Sequence, residues 1–380
     1  MRRSVSSEGQ LASRVEADPL RHALAHAFAI VAVVVPIWVL VLAERGHSLA
    51  LDFRGAFLPG ARAVIHGASP YHAVGSKAVA EGIAFLYPPL TAYLLAPFTL
   101  LPSAAAGVLA VVLVAATVPA TLLALEVRDW RCYACAFLWF PVVIGIQTAN
   151  VTLPLVLGLA LVWRYRDRRM VVALVAALLI SVKLFFWPVL VWLVATRRYR
   201  CAALAAAASA LLVVGPWAGI GFAGMRGYPN LLASVSRGEG PHSYSVAALL
   251  HGALPGWTAA TAVESAIGLG ILLLVVALGR RGRERDAFAL TIVAVLVLTP
   301  LLEMHYLAVL LVVVGLYRRR FGAAWVAPLL IWGAPASNEA VLAQRVHVLV
   351  VVAATLALAL SDWRPRLRSR SLRHSAEQVA

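Results

Sequence analysis

Apolar runs of about 15–25 residues alternate along this chain with short arginine-rich connectors. The runs fall at 23–43, 103–126, 132–146, 150–163, 170–196, 201–219, 258–278, 287–302, 306–317, 322–336 and 341–361. An α-helix needs about 20 apolar residues to cross a bilayer, and somewhat fewer where the bilayer thins. Placing the basic connectors at 128–131, 164–169, 197–200, 280–285 and 318–320 on the cytoplasmic side sets the direction of each run. Segment 170–196 has basic flanks at both ends. It is therefore expected to go up and down as two short helices, or to dip in as a re-entrant hairpin, with Lys183 near its top. The sum is twelve crossings with both chain ends cytoplasmic. Residues 84–101 are also apolar enough to span, but a crossing there would turn most basic connectors outward. They are expected to lie in the outer interface, broken by Pro88, Pro89, Pro97 and Pro102.

The expected fold is therefore an all-α polytopic membrane protein of about 12 transmembrane helices. A cytoplasmic segment, 1–22, precedes a membrane body, 23–361, with outer loops at 44–102 and 220–257. A basic tail, 362–380, is expected to be cytoplasmic and disordered. The first apolar run reads as a retained helix, not a cleaved signal.

Composition agrees with this reading. The 380 residues are 62% hydrophobic and only 13% charged, where a soluble domain carries about 25% charge. The net charge is +16, and every basic residue except Lys77 and Lys183 is arginine. These arginines cluster between apolar runs and can also hold anionic lipid headgroups. They are not interleaved with aromatics as in single-strand binders, so no nucleic-acid partner is expected. Cys132 and Cys135 form a lone C-x-x-C without the two further ligands of a zinc site or the βαβ setting of a redox motif. With Cys201 they read as packing residues, and no disulfide framework is implied.

Against this background a few polar groups stand out, all on the outer side. Asp52 follows the first run; a carboxylate so near hydrocarbon is a functional candidate, or else a helix cap or a partner for Arg54. Lys183 is the only ionisable side chain between the basic flanks of 170–196. It either meets an anion such as a phosphate or snorkels to the interface. Glu303 and His305 sit between two apolar runs, where they bind a sugar or phosphate, or cap two helices. The turn 147–150 carries Gln147 and Asn150. Asn150-Val151-Thr152 matches a glycosylation sequon but lies in a tight turn. The loop 220–257 holds Arg226, Tyr228, Arg237, Glu239 and Tyr244 without diagnostic spacing.

Several short motifs recur in a familiar order. They are Asp52-Phe53, Ala61-Arg62-Ala63, Gly67-x-x-Pro70-Tyr71, Tyr87-Pro88-Pro89-Leu90 and Leu100-Leu101-Pro102. Then come Gln147-x-x-Asn150, Ser181-Val182-Lys183 followed by Pro188, Ser245-Val246-x-x-Leu249-Leu250 and Glu303-x-His305. Over residues 50–310 this pattern resembles the polyprenol-phosphate-sugar-dependent mannosyltransferases of actinobacteria, in family 87 of the glycosyltransferases, with the GT-C fold. The chain departs from that pattern at Ile146, where glycine is usual, and at Leu301-Leu302, where small polar residues are expected.

The resemblance implies a catalytic base at Asp52 and interfacial helices in the first outer loop that help hold the lipid carrier. The implied reaction takes a sugar from a polyprenyl-phosphate donor to a hydroxyl of a lipid-linked glycan. Lys183 and His305, then Arg54 and Arg62, are the candidates for the donor phosphate. Glu303, Tyr87, Gln147 and Asn150 are the candidates for the sugar or acceptor. The leaving group is a phosphomonoester, so neither metal nor cofactor is expected. Mannose is the first reading for the sugar, and arabinofuranose is the alternative. A transporter or flippase is the competing class, but the spans show no charged relay and no inverted repeat.

Overall fold

The computed structural model of the protein describes residues 7–299, 301–334 and 341–361, and among them every regular element is helical. Expectations for residues 1–6 and for the tail 362–380 lie outside the described residues. Helix α1 (Ser7–Arg45) leads to a π-helical turn, Phe53–Phe57. The short helices α2 (Leu58–Ile65), α3 (Lys77–Ala80) and α4 (Pro89–Leu94) and the 3-10 turn Ala96–Leu100 complete the first long connection. Next come α5 (Ser103–Ala124), α6 (Trp130–Leu138), α7 (Phe140–Gln147), α8 (Thr152–Arg164) and α9 (Arg169–Val182). They are followed by α10 (Pro188–Ala195), α11 (Tyr199–Ala218), α12 (Tyr228–Glu239) and α13 (Val246–Leu250). The chain continues through α14 (Trp257–Arg280), α15 (Glu284–Val297) and the 3-10 turn Met304–Val309 that runs into α16 (Leu310–Tyr317). It closes with α17 (Ala323–Val326), the turn Ala327–Gly333 and α18 (Leu342–Leu360).

Each apolar run read from the sequence contains helix among the described residues, but length divides the helices into two classes. Five stretches, in α1, α5, α11, α14 and α18, are long and apolar enough to cross a membrane. The pair α6–α7 makes a sixth if it is taken as one span bent by 67°. The bend falls at Trp139, whose backbone is extended, two residues before Pro141. Proline cannot donate a backbone hydrogen bond, so the helix restarts there instead of continuing. The remaining helices are shorter. At 1.5 Å per residue, α8 is about 20 Å long, less than the roughly 30 Å of bilayer hydrocarbon.

Segment 170–196 is indeed two short helices, with Lys183 in extended backbone between them. Pro188 at the first position of α10 favours the restart. Residues 84–101 are likewise broken into α4 and the turn at Ala96–Leu100.

The core lies among the short helices. All residues of α16 from Leu310 to Leu316 are buried, as expected of a helix apolar on every side. Trp139, Trp192 and Trp325 are fully buried. Trp139 Nε1 and Cys135 Sγ both donate to the Trp325 carbonyl, at 2.9 and 3.1 Å, and Cys132 is buried beside them, so these cysteines pack. Helix α1, in contrast, exposes Ile30, Val33, Ile37 and Trp38, the surface a peripheral span presents to lipid.

Candidate active site

The residues that stood out in the sequence are drawn together by the turn 147–150. Its backbone clasps the segment after α1. The Ala50 N–H donates to the Gln147 carbonyl at 2.6 Å and the Phe53 N–H to the Thr148 carbonyl at 3.3 Å. Both strands of this clasp hold a buried alanine in the left-handed region, Ala50 at φ 56° and Ala149 at φ 51°. Non-glycine residues adopt that region at a cost of order 1 kcal/mol or more, and such strain concentrates at functional sites. A π-helical turn starts directly after Asp52, another feature found often at such sites.

The clasp sets up a directed chain of hydrogen bonds. Lys183 Nζ donates to Thr152 Oγ1 at 2.9 Å. Thr152 Oγ1 donates to Asn150 Oδ1 at 2.7 Å. Asn150 Nδ2 donates to Asp52 Oδ2 at 2.5 Å. Each donor points toward the carboxylate, so the bonds polarise one another in the same sense. Lys183, Thr152 and Asn150 are buried and Asp52 is largely so. The ammonium lies 3.7 Å from the centre of the Tyr306 ring and 5.3 Å from that of Tyr87, where the ring faces favour a cation.

Asp52 ends this chain, and two further carboxylates, Glu303 and Glu239, are coupled to it or to each other electrostatically. Burial holds Asp52 above the ordinary aspartate range, opposed by the Asn150 hydrogen bond, the charge of Lys183 and a hydrogen bond from Thr148. Burial, then the negative charges of Glu239 and Asp52, pushes Glu303 up to about 7, while Lys183 pulls it down. Burial also raises Glu239, at the end of α12. His305 is buried with no hydrogen-bond partner on Nε2, and its ring meets Tyr306 edge-on at 4.6 Å. Among the described residues no group of three or more His, Cys, Asp or Glu is arranged to hold a metal ion.

The supports of Tyr87 come from the connection between α1 and α5 and from that between α11 and α14. Tyr71 Oη donates to the Tyr87 carbonyl at 2.8 Å and Tyr228 Oη to the Leu86 carbonyl at 2.9 Å. Tyr71 in turn stacks on Trp217 at 4.9 Å. The second connection is tied to Glu303 through the Tyr244 N–H, which donates to the Leu302 carbonyl at 3.0 Å. Its helix α13 is capped by Ser245, which accepts from the Ala248 N–H. The buried Glu264 of α14 accepts from the Ala247 N–H at 3.0 Å.

Asp52, Asn150 and Lys183 thus share one chain of contacts, with Tyr87, Glu303 and His305 around it. Three other candidates sit apart from it. Gln147 Nε2 donates to Ser48 Oγ at 3.4 Å, so its part in the clasp is through its carbonyl. Arg54 pairs with Glu44 at 3.6 Å and lies against Gly107 of α5. Arg62 is exposed on α2, and no ion pair joins it to Asp52 among the described residues. Thr152 was visible only as part of a discounted sequon. Glu239 was hidden in an unremarkable loop, because nothing local marks a residue whose neighbour, Glu303, is far along the chain.

No curated protein and no solved structure matches this chain. Glycosyltransferase family 87 matches residues 85–303, more than half of its length. The matched span takes in Tyr87, Asn150, Thr152, Lys183 and Glu303, begins after Asp52 and stops before His305. With its several membrane-spanning helices, the chain is a multi-pass membrane glycosyltransferase and belongs to glycosyltransferase family 87.

Proposed function

We propose that this glycosyltransferase moves a sugar, mannose in the first reading, from a polyprenyl phosphate to a hydroxyl of a lipid-linked glycan. The observation that carries the reading is the chain from Lys183 through Thr152 and Asn150 to Asp52. It joins an amine and a carboxylate through one buried polar path. The Asp52 carboxylate takes the acceptor hydroxyl proton as that oxygen attacks C1. The bond from C1 to the phosphate oxygen breaks, its electron pair leaves with the phosphate, and C1 is inverted. A positioned general base contributes roughly 10²–10⁴ in rate.

Negative charge gathers on the departing phosphate, and a cation placed there favours the transition state. Lys183 is that cation; the bound phosphate supplies the anion that keeps a buried amine protonated. In this reading His305 donates a hydrogen bond to the same group, a role supported by its buried, unpartnered Nε2. Glu303, Tyr87 and Asn150 then face the sugar and acceptor hydroxyls. In this reading the helices form a GT-C-like bundle of about twelve crossings. The site lies on the extracytoplasmic side, opposite the basic connectors.

The test is direct. Protein reconstituted in vesicles with polyprenyl-phosphate-[¹⁴C]mannose and a lipid-linked mannoside should yield labelled glycan and free polyprenyl phosphate. Movement of intact donor between leaflets without formation of labelled glycan would assign the chain to transport instead.

A further inference from the structure

At the other end of the bundle, two adjoining cavities of about 510 and 640 Å³ share Arg319 and Arg320 in their walls. Helix α8 separates this end from Asp52, with Thr152 at the polar chain and Arg164 paired to Glu126 at the cavities. The connector residues there are Arg128, Arg131, Arg318, Arg319 and Arg320, against two carboxylates, Glu126 and Asp129.

Both carboxylates are already committed. Glu126 is shared by Arg164 and by Arg319, the latter at 2.8 Å. Asp129 takes two parallel hydrogen bonds from Arg131, at 3.0 and 2.9 Å, and a third from the Phe321 N–H at 3.0 Å. Arg318 donates to the Leu358 carbonyl at 2.9 Å and to Ser361 Oγ at 2.5 Å. Arg128 and Arg320 remain exposed in the cavity wall with no carboxylate within salt-bridge distance among the described residues. Among the described residues the cavity wall therefore carries more guanidinium groups than carboxylates.

An aromatic ledge places this charge at the membrane boundary. Trp130, about half exposed at the start of α6, lies 6.2 Å from Phe28 of α1. Phe28 lies 5.7 Å from Phe321, and the Arg131 guanidinium sits over the Phe321 ring at 5.4 Å. Tryptophan at a span end marks the headgroup level.

We infer that the bowl between Arg128 and Arg320 binds the phosphate of an anionic membrane lipid, on the face opposite Asp52. The guanidinium groups offer paired donors that fit phosphate oxygens, and the acyl chains lie along the apolar faces of the adjoining spans. The site is independent of the sugar-transfer reading.

Native mass spectrometry of the purified full chain in detergent tests this, titrating phosphatidylglycerol and, separately, phosphatidylcholine. The wild type should retain one phosphatidylglycerol that phosphatidylcholine does not replace. With each basic side chain near a surface contributing roughly 1 kcal/mol, R128Q/R320Q should weaken that retention about 30-fold. The pair K77Q/R226Q, at exposed positions outside the bowl, should leave it unchanged. R320Q alone, an exposed substitution, provides the same reading at about 5-fold if the double variant does not fold. Unchanged retention in either variant, or equal retention of phosphatidylcholine, would overturn the inference. Displacement by excess inorganic phosphate would do so too, by assigning the bowl to a soluble anion.

Discussion

Asp52 matters less for its burial than for the two residues, Asn150 and Thr152, that connect it to Lys183. Asn150 stabilises the ionised carboxylate through its amide N–H, and a hydrogen bond to a charged group is worth about 1.5–3 kcal/mol. Removing it raises the carboxylate pKa, so activity that needs ionised Asp52 is lost at a higher pH. Asn150→Ala should therefore move the acid limb of the pH–kcat/KM profile upward by about one to two pH units; an unmoved limb would detach Asn150 from the base. Lys183→Ala should raise the donor KM or lower kcat, and an unchanged rate at limiting donor would reduce Lys183 to a snorkelling residue. At this scale the sequence was readable where a charge was isolated. Asp52 and Lys183 stood out because an unpaired charge near hydrocarbon costs several kcal/mol. Thr152 did not, because a hydroxyl in an apolar run is ordinary. Arg54 and Arg62 could not be sorted from the many other interfacial arginines by type alone. The ion pair of Arg54 with Glu44 and its packing against Gly107 separate it from the candidate site.

Helices set where these residues meet, and close packing between them depends on small residues. At Gly279, a Cβ would lie 2.7 Å from Ala195 Cβ and 3.0 Å from its carbonyl carbon, so α10 and α14 touch backbone to backbone there. Gly279→Ala should cost about 1–3 kcal/mol, the range for overpacking a tight contact. Chemical denaturation in detergent measures it, and a stability equal to wild type would mean that the two helices part freely. The positions of the helices were legible from apolar runs, basic connectors and proline. Their completeness as spans was not. The apolar runs of α8, α9 and α16 read as crossings; as helices they are shorter than the hydrocarbon is thick, with polar residues at 150–152, 183 and 303–305 beside their ends.

Taken whole, the short helices fit the proposed transfer between lipid-borne substrates. Helix α8 reaches about 20 Å from the basic connectors to the polar chain, some 10 Å less than the hydrocarbon thickness. On the proposed orientation the site is recessed beneath the outer surface, within reach of a phosphate at the bilayer boundary. Single cysteines at residues 47 and 77 should react with an impermeant maleimide from one side of sealed vesicles, and those at 281 and 320 from the other. Labelling of all four from one side would refute the orientation. The most direct test of the central claim is the initial rate of sugar transfer from radiolabelled polyprenyl-phosphate-mannose by folded Asp52→Asn protein. The account predicts a fall of at least about 10²-fold, with donor binding retained. Transfer at the wild-type rate would contradict it.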